Sequence, residues 1–114
     1  MKGLFIELPA FARHRVSYLD DEGFRSLQNA LLEHPEAGDV IEGTGGLRKV
    51  RHADVRRGKG KRGGLRVIYF WWRAGSQFWL FTLYGKDKMD DLSAKERAAL
   101  RDMLKRELDA RRKA

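Results

Sequence analysis

Residues 65–86 read LRVIYFWWRAGSQFWLFTLYGK, which is two apolar runs joined by a short turn at Ala74, Gly75 and Ser76. Both runs are rich in aromatic and β-branched side chains, and this composition is typical of β-strands. Their apolar residues are nearly continuous, whereas a strand with one face in water alternates apolar and polar residues. We therefore predict two neighbouring strands at the centre of a sheet.

The N-terminal third predicts one strand and two helices. Residues 3–8 (GLFIEL) read as a short strand, and the Pro9 that follows suits the first turn of a helix over AFARHRVSYL. Asp20 and Asp21 are candidate N-caps for a second helix over about residues 21–33. The apolar side chains of that helix fall on one face: Phe24, Leu27 and Leu31.

The remaining elements flank the two central strands. Residues 34–46 are loop-like, and we expect the Val40-Ile41 pair to be tucked beneath the loop. The segment GLRKVRHA, residues 46–53, reads as a further strand. Ser93 and Glu96 form an S-x-x-E capping box at the start of a last helix. The apolar face of that helix is predicted to consist of Leu100, Met103, Leu104 and Leu108.

The predicted order of elements is β-α-α-β-β-β-α. Three consecutive strands form an antiparallel meander, and we expect the helices to pack on one face of it because each has an apolar stripe to bury. A chain of 114 residues is long enough for a single core. The sequence therefore predicts a small α+β domain spanning residues 1–114.

Positive charge is concentrated in the middle of the chain. The net charge is +8, and residues 43–86 alone carry eleven basic side chains against one acidic side chain, Asp54. The densest group lies within a glycine-rich stretch and comprises Arg48, Lys49, Arg51, Arg56, Arg57, Lys59, Lys61, Arg62 and Arg66. Unpaired charge is costly to bury, so we predict that this whole segment lies on the surface and binds a polyanion.

Several other kinds of site have no support in the sequence. There is no cysteine, which excludes disulfides and thiolate chemistry. The three histidines lack ligand spacing, so we expect no metal and no cofactor. No apolar run is long enough for a signal peptide or a membrane span, so we expect a cytoplasmic protein with no membrane partner.

Three blocks of the sequence carry a family resemblance: GDVIEGTGGLRKVR at 38–51, GKGKRGGLRVIYF at 58–70 and LYGKDKMDDLS at 83–93. Together they resemble the HigB-like branch of the RelE toxin superfamily, whose members are bacterial toxins of type II toxin–antitoxin pairs. The resemblance extends over nearly the whole chain and implies a RelE-like domain. Such toxins bind the ribosomal A site and cut messenger RNA there. Each is held inactive by a cognate antitoxin, which in the HigB branch usually carries a helix-turn-helix region.

The resemblance implies a metal-independent, ribosome-dependent endoribonuclease, an mRNA interferase that inhibits translation. Its partners would be messenger RNA, ribosomal RNA, the 70S ribosome and a HigA-like antitoxin. The family's basic pair falls on Lys49 and Arg51, and its third-strand arginine falls on Arg66. The family's C-terminal tyrosine has no match, and Tyr84 is the available substitute. The expected RNA or ribosome contacts are Arg48, Arg56, Arg57, Lys59, Lys61, Arg62, Lys86 and Lys88.

The implied reaction is attack of a ribose 2′-hydroxyl on the adjacent phosphodiester. Lys49, set among other cations, is the candidate base, and Arg66 would bind the phosphate in bidentate fashion. Arg51 would neutralise the leaving oxygen, while Tyr84 would stack on a base or assist proton transfer. His52 is a further candidate acid–base residue. Strict alternation along the strand independently puts Lys49 and Arg51 on one face.

Two other functions remain open from the residues alone. A non-catalytic module that binds RNA or the ribosome would need the same cationic segment and would bind with strong salt dependence. A ParE-like inhibitor of DNA gyrase would share the superfamily fold, and fold by itself does not separate these activities.

Overall fold

Five strands and three helices make up the described part of the chain, which comprises residues 3–54, 58, 60, 64–88 and 91–112 of a computed structural model. In chain order they are β1 (Leu4–Glu7), α1 (Pro9–Tyr18), α2 (Asp21–Glu33), β2 (Asp39–Val40), β3 (Arg48–His52), β4 (Leu65–Trp72), β5 (Gln77–Gly85) and α3 (Ala94–Arg112). A short 3-10 turn at Arg73–Gly75 joins β4 to β5. The observed order is the predicted one with a single added strand, β2.

The five strands form one mixed sheet in the order β1-β5-β4-β3-β2. The β3–β4 and β4–β5 pairs are antiparallel, as the predicted meander requires. β1 runs parallel to β5, with Leu4 opposite Gln77. β4 and β5 occupy the interior of the sheet, so their predicted central position and the α+β class are both confirmed.

The two faces of the sheet are covered by different helices. Val67 of β4 packs into a core with Phe11 and other residues of α1 and α2, and we call this side the α1/α2 face. Ile68 packs into a second core with Leu104 of α3, on the α3 face. The expectation that the helices pack on one face is therefore wrong. The physical reason is that the central strands are apolar on both sides, so each face needs its own cover; Trp79, for example, is fully buried beneath α3.

Capping chemistry sets where two of the helices begin. The Asp20 side chain accepts a hydrogen bond from the N–H of Gly23 at 2.7 Å, and α2 begins directly after Asp20, at Asp21. Ahead of α3, the Glu96 N–H donates to Ser93 Oγ at 3.1 Å and the Ser93 N–H donates to Glu96 Oε1 at 2.8 Å. Both predicted caps are confirmed, because each depends only on residues three positions apart.

The loop after α2 is partly ordered by the sheet. The Tyr69 hydroxyl donates to the carbonyl oxygen of Pro35 at 2.8 Å and accepts the N–H of Gly38 at 3.1 Å. β2 then pairs with β3. Ile41 packs against the α3-face core, as expected, but Val40 is 56 % exposed, so its predicted burial is wrong. An edge strand of two residues leaves the Val40 side chain facing solvent.

A β-bulge in β5 changes which side chains face α3. Ile68 lies opposite Thr82, but the next residue of β4 lies opposite Leu80, so the pairing skips Phe81. One extra residue reverses the alternation from that point onward. Phe81 and Tyr84, three positions apart, therefore both pack on the α3 face.

Candidate active site

Four side chains singled out in the sequence share the α3 face of three neighbouring strands. Arg51 of β3 lies directly opposite Arg66 of β4, and Arg66 lies directly opposite Tyr84 of β5. Lys49 lies in the next row, opposite Ile68. Opposed side chains in antiparallel strands have Cβ atoms about 5 Å apart. The sheet thus brings Lys49 and Arg51 to one face, as predicted, and aligns them with the Arg51–Arg66–Tyr84 row.

Exposure falls steeply along this row. Arg51 is exposed at its outer end, whereas Arg66 is 4 % exposed and Tyr84 is 6 % exposed. The Arg66 guanidinium donates to the carbonyl oxygen of Leu65 at 3.2 Å. The prediction that every cation of the segment lies on the surface is therefore wrong for Arg66. A guanidinium can be buried when its donors find acceptors, and counting charges in a sequence does not reveal those acceptors.

Lys49 is paired with an acidic residue that the sequence analysis did not assign to the site. Its ammonium Nζ lies 3.2 Å from Oδ1 of Asp91, in the segment that leads into α3. The same carboxylate accepts the N–H of Leu92 at 2.8 Å. That backbone hydrogen bond, followed by the bond from Lys49, lowers the pKa of Asp91 below its ordinary value. No local pattern in the sequence connects Asp91 with a strand residue so far away.

The Lys49–Asp91 ion pair bears on the proposed chemistry. An ammonium group held by a carboxylate has no lone pair with which to accept a proton. The geometry therefore favours Lys49 as a positive charge near the row, where it can attract or stabilise an anion. It gives no support to Lys49 as the base.

Tyr84 closes the inner end of the row. Its hydroxyl is buried and is the one enclosed side-chain N or O atom without a hydrogen-bond partner within the described ranges. Burial, followed by the nearby negative charge of Asp91, raises the pKa of the Tyr84 phenol above its ordinary value. The phenol therefore stays protonated at neutral pH and can act as a hydrogen-bond donor.

Comparison with known proteins identifies the architecture. No protein-family model matches the chain. Among solved structures, a double mutant of the E. coli toxin RelE in its free state aligns with a TM-score of 0.54 over 79 % of this chain and 90 % of that chain, at 13 % sequence identity. This chain has a RelE-like fold. At so low an identity the similarity establishes the fold alone, and function has to be argued from the site.

Other basic residues expected to contact RNA lie in different parts of the RelE-like fold. Arg48 is opposite Tyr69, a residue of the α1/α2-face core, and its guanidinium donates to the carbonyl oxygens of Gly38 at 2.7 Å and Glu36 at 3.2 Å. These contacts anchor the loop after α2 and separate Arg48 from the row. Lys86 and Lys88 are exposed in the turn after β5. The remaining predicted contacts fall outside the described residues: Arg56, Arg57, Lys59, Lys61 and Arg62.

The histidines do not join the row. His52 lies opposite Leu65, whose side chain belongs to the α1/α2 face, so the structure separates it from Arg66 and Tyr84. His14 and His34 are exposed. Within residues 3–54, 64–88 and 91–112, no cluster of histidine, cysteine and carboxylate side chains has the geometry to hold a metal ion. The helices of the same ranges include none with the length and apolarity needed to cross a bilayer.

Proposed function

We propose that this protein is the toxin of a bacterial type II toxin–antitoxin pair, and that it cleaves messenger RNA in the ribosomal A site. The observation that carries the proposal is the grouping of Lys49, Arg51, Arg66 and Tyr84 on one face of a RelE-like sheet. The HigB-like sequence blocks favour the HigB branch. The solved relative is itself named a toxin.

The cleavage reaction has simple requirements. The ribose 2′-oxygen forms a bond to the adjacent phosphorus, the bond from phosphorus to the 5′-oxygen breaks, and a 2′,3′-cyclic phosphate and a 5′-hydroxyl result. The proton of the 2′-hydroxyl leaves to a base, and the 5′-oxygen gains a proton. Side-chain cations can stabilise the extra charge on the phosphorane.

The row supplies cations and one proton donor for this reaction. Arg51, exposed at the outer end, and Lys49, in the next row, are placed to contact the phosphate first. Arg66 and Tyr84 lie behind them in the same row, and both are buried in the free chain. A site that lacks a ready base in its resting form fits an enzyme that becomes competent only on the ribosome, where RNA positions the substrate.

A cell-free translation assay tests the proposal. A reporter message is translated with the purified protein and mapped by primer extension, with the same message lacking ribosomes as the control. Cuts should occur at codon positions only when ribosomes are present. We expect Arg51→Ala to reduce cleavage by at least about tenfold, equivalent to about 1.4 kcal/mol of transition-state stabilisation.

Arg25→Ala is the matched control, because Arg25 is an exposed arginine of α2, on the opposite side of the sheet. It removes the same charge from the chain and should leave the cuts unchanged. Equal activity of Arg51→Ala and Arg25→Ala would show that the row is not the active site. An intact message with the wild-type protein would reject the nuclease proposal altogether.

A non-catalytic RNA-binding module is the second candidate, and the burial of Arg66 and Tyr84 favours it. Such a module would bind RNA through the exposed cations and leave the message intact. Its signature is binding that weakens steeply with salt, with a log–log slope near −0.7 for each phosphate contacted on a single strand. Supercoiling by purified gyrase gives a separate readout for the ParE-like activity.

The proposed function includes a cognate antitoxin, HigA-like and carrying a helix-turn-helix region. Such an antitoxin can mask the cationic face directly with an acidic segment. It can also bind the acidic stretch between Asp20 and Glu36 and block entry to the ribosome sterically. Amide hydrogen exchange of the complex separates the two modes, because direct masking protects β3 and the turn after β5, whereas steric blocking protects residues 20–36.

A further inference from the structure

A groove of about 380 Å³ lies between α1 and α3, above the last part of β5. It exists because β1 ends at Glu7, opposite Leu80, so that helix α1 and not a strand runs beside the rest of β5. α1 packs toward one face of the sheet and α3 covers the other, which leaves a cleft along this edge. The groove is lined by Ala10, His14 and Tyr18 of α1, Thr82 and Tyr84 of β5, and Ala99 and Met103 of α3.

The lining of the groove is mostly apolar, but its polar atoms have few partners inside the protein. The Tyr84 hydroxyl is buried and unpaired. Glu96, which also lines the groove, uses Oε1 to accept the Ser93 N–H, and Oε2 accepts no hydrogen bond from the described part of the chain. The side chains of Thr82 and His14 likewise make none there. A largely apolar cleft with a few unpaired donors and acceptors is the usual form of a small-ligand site.

The groove and the Arg51–Arg66–Tyr84 row share a residue. Tyr84 lines the groove and also lies directly opposite Arg66. A ligand seated in the groove therefore lies one strand away from Arg66 and two strands away from the exposed Arg51. The ligand that combines a planar ring, mixed hydrogen-bonding edges and an attached phosphate is a nucleotide, and single-stranded RNA is read by splayed bases that stack and hydrogen-bond in such clefts.

We propose that the α1–α3 groove seats one nucleobase of single-stranded RNA beside the phosphate-binding row. The inference rests on the proposed RNA-directed function and names its base-recognition subsite. A groove of about 380 Å³ is large enough for one planar ring system. It is too small for a partner α-helix, which is about 10–12 Å wide with its side chains. The Tyr84 hydroxyl is enclosed in the free chain, so the base contacts that hydroxyl only after side chains lining the groove shift.

The test uses four RNA hexanucleotides. Each carries a single base, one of the four, and is abasic at its other positions. A fully abasic hexamer is the reference, and dissociation constants are measured by fluorescence anisotropy at one fixed salt concentration. The wild-type protein should bind at least one single-base hexamer at least about fivefold more tightly than the reference, since stacking of one base contributes about 1–3 kcal/mol.

Ala99→Trp fills the groove from an exposed position on α3 and should abolish this preference without changing affinity for the abasic hexamer. Ala110→Trp is the matched control, because Ala110 is exposed on the same helix but outside the groove. Thr82→Val removes one hydroxyl at nearly constant volume and should reduce discrimination among the four bases. Circular dichroism and thermal melting check that each variant is folded.

Equal affinity of the wild-type protein for all five hexamers would overturn the inference. A base preference that survives Ala99→Trp would overturn the inference as well, because the base would then bind outside the groove. These outcomes are independent of the cleavage assay. If the message is cut on the ribosome but the hexamers show no base preference, the groove subsite is rejected and cleavage is retained. If the hexamers show a base preference that depends on the groove but the message stays intact, cleavage is rejected and the subsite is retained.

Discussion

Replacing Tyr84 by phenylalanine should make the protein more stable. The Tyr84 hydroxyl is buried without a hydrogen-bond partner. An unpaired hydroxyl costs about 1–3 kcal/mol when it is taken out of water. Removing that oxygen while keeping the ring should therefore raise the free energy of unfolding by about 1–2 kcal/mol. For a chain of this length, that corresponds to a rise in Tm of about 4–8 °C.

The same substitution at Tyr69 provides a control with the opposite sign. The Tyr69 ring is also buried, but its hydroxyl donates to Pro35 at 2.8 Å and accepts from Gly38 at 3.1 Å. Tyr69→Phe loses both bonds and leaves the buried Gly38 N–H unpaired. We expect a loss of about 1–3 kcal/mol.

Thermal and urea denaturation of the two variants against the wild-type protein measure these changes directly. The informative quantity is the difference between the two variants, because both remove one oxygen from a buried ring. If Tyr84→Phe destabilises the protein as much as Tyr69→Phe, the Tyr84 hydroxyl has a hydrogen-bond partner in the folded protein, and the predicted gain in stability is wrong. If Tyr84 serves the reaction, Tyr84→Phe should also lose cleavage while gaining stability, a trade-off typical of functional sites.

Three further predictions concern charge and capping. Asp91→Asn frees Lys49 from an ion pair whose carboxylate is 60 % exposed, so the free energy of unfolding should change by less than about 1 kcal/mol. The log–log salt slope for binding of single-stranded RNA should steepen by about 0.7, because Lys49 can then contact one more phosphate. An unchanged slope would mean that Lys49 does not reach a phosphate. Ser93→Ala removes the capping box of α3 and should cost about 1 kcal/mol in urea denaturation, whereas no measurable loss would show that this cap is not needed. Burial raises the pKa of Tyr69 and Tyr84, so above about pH 10 the folded chain keeps phenol protons that the unfolded chain has lost. The stability that this difference contributes should be intact below about pH 10 and should fall as the pH rises beyond it. Ultraviolet titration of tyrosinate and denaturation across alkaline pH would check this.

Much of the local structure could be predicted because it depends on residues close together in the chain. The start of α2 and the capping box before α3 follow from residues three positions apart. The central strands follow from the continuous apolar runs at residues 65–86. The common face of Lys49 and Arg51 follows from the period of two along a strand.

The site itself required contacts that no local pattern encodes. Asp91 reaches Lys49 only because α3 folds back over the sheet, and β2 is too short to have a periodic signal of its own. The burial of Arg66 depends on what covers it, which the charge of the segment does not reveal. The composition predicted that all cations of the segment lie on the surface, but in the folded protein Arg66 is buried.

The sequence by itself therefore determined the helices, the central strands, the cationic middle segment and the side of β3 on which its basic pair lies. The tertiary structure alone decided which helix covers which face, and it placed Tyr84 beside Arg66. Strict alternation from Trp79 would have turned Tyr84 toward the α1/α2 face. The bulge at Phe81 inserts one residue without a partner, reverses the alternation and turns the phenol to the α3 face, because strand register is set by pairing between strands and not by either strand alone.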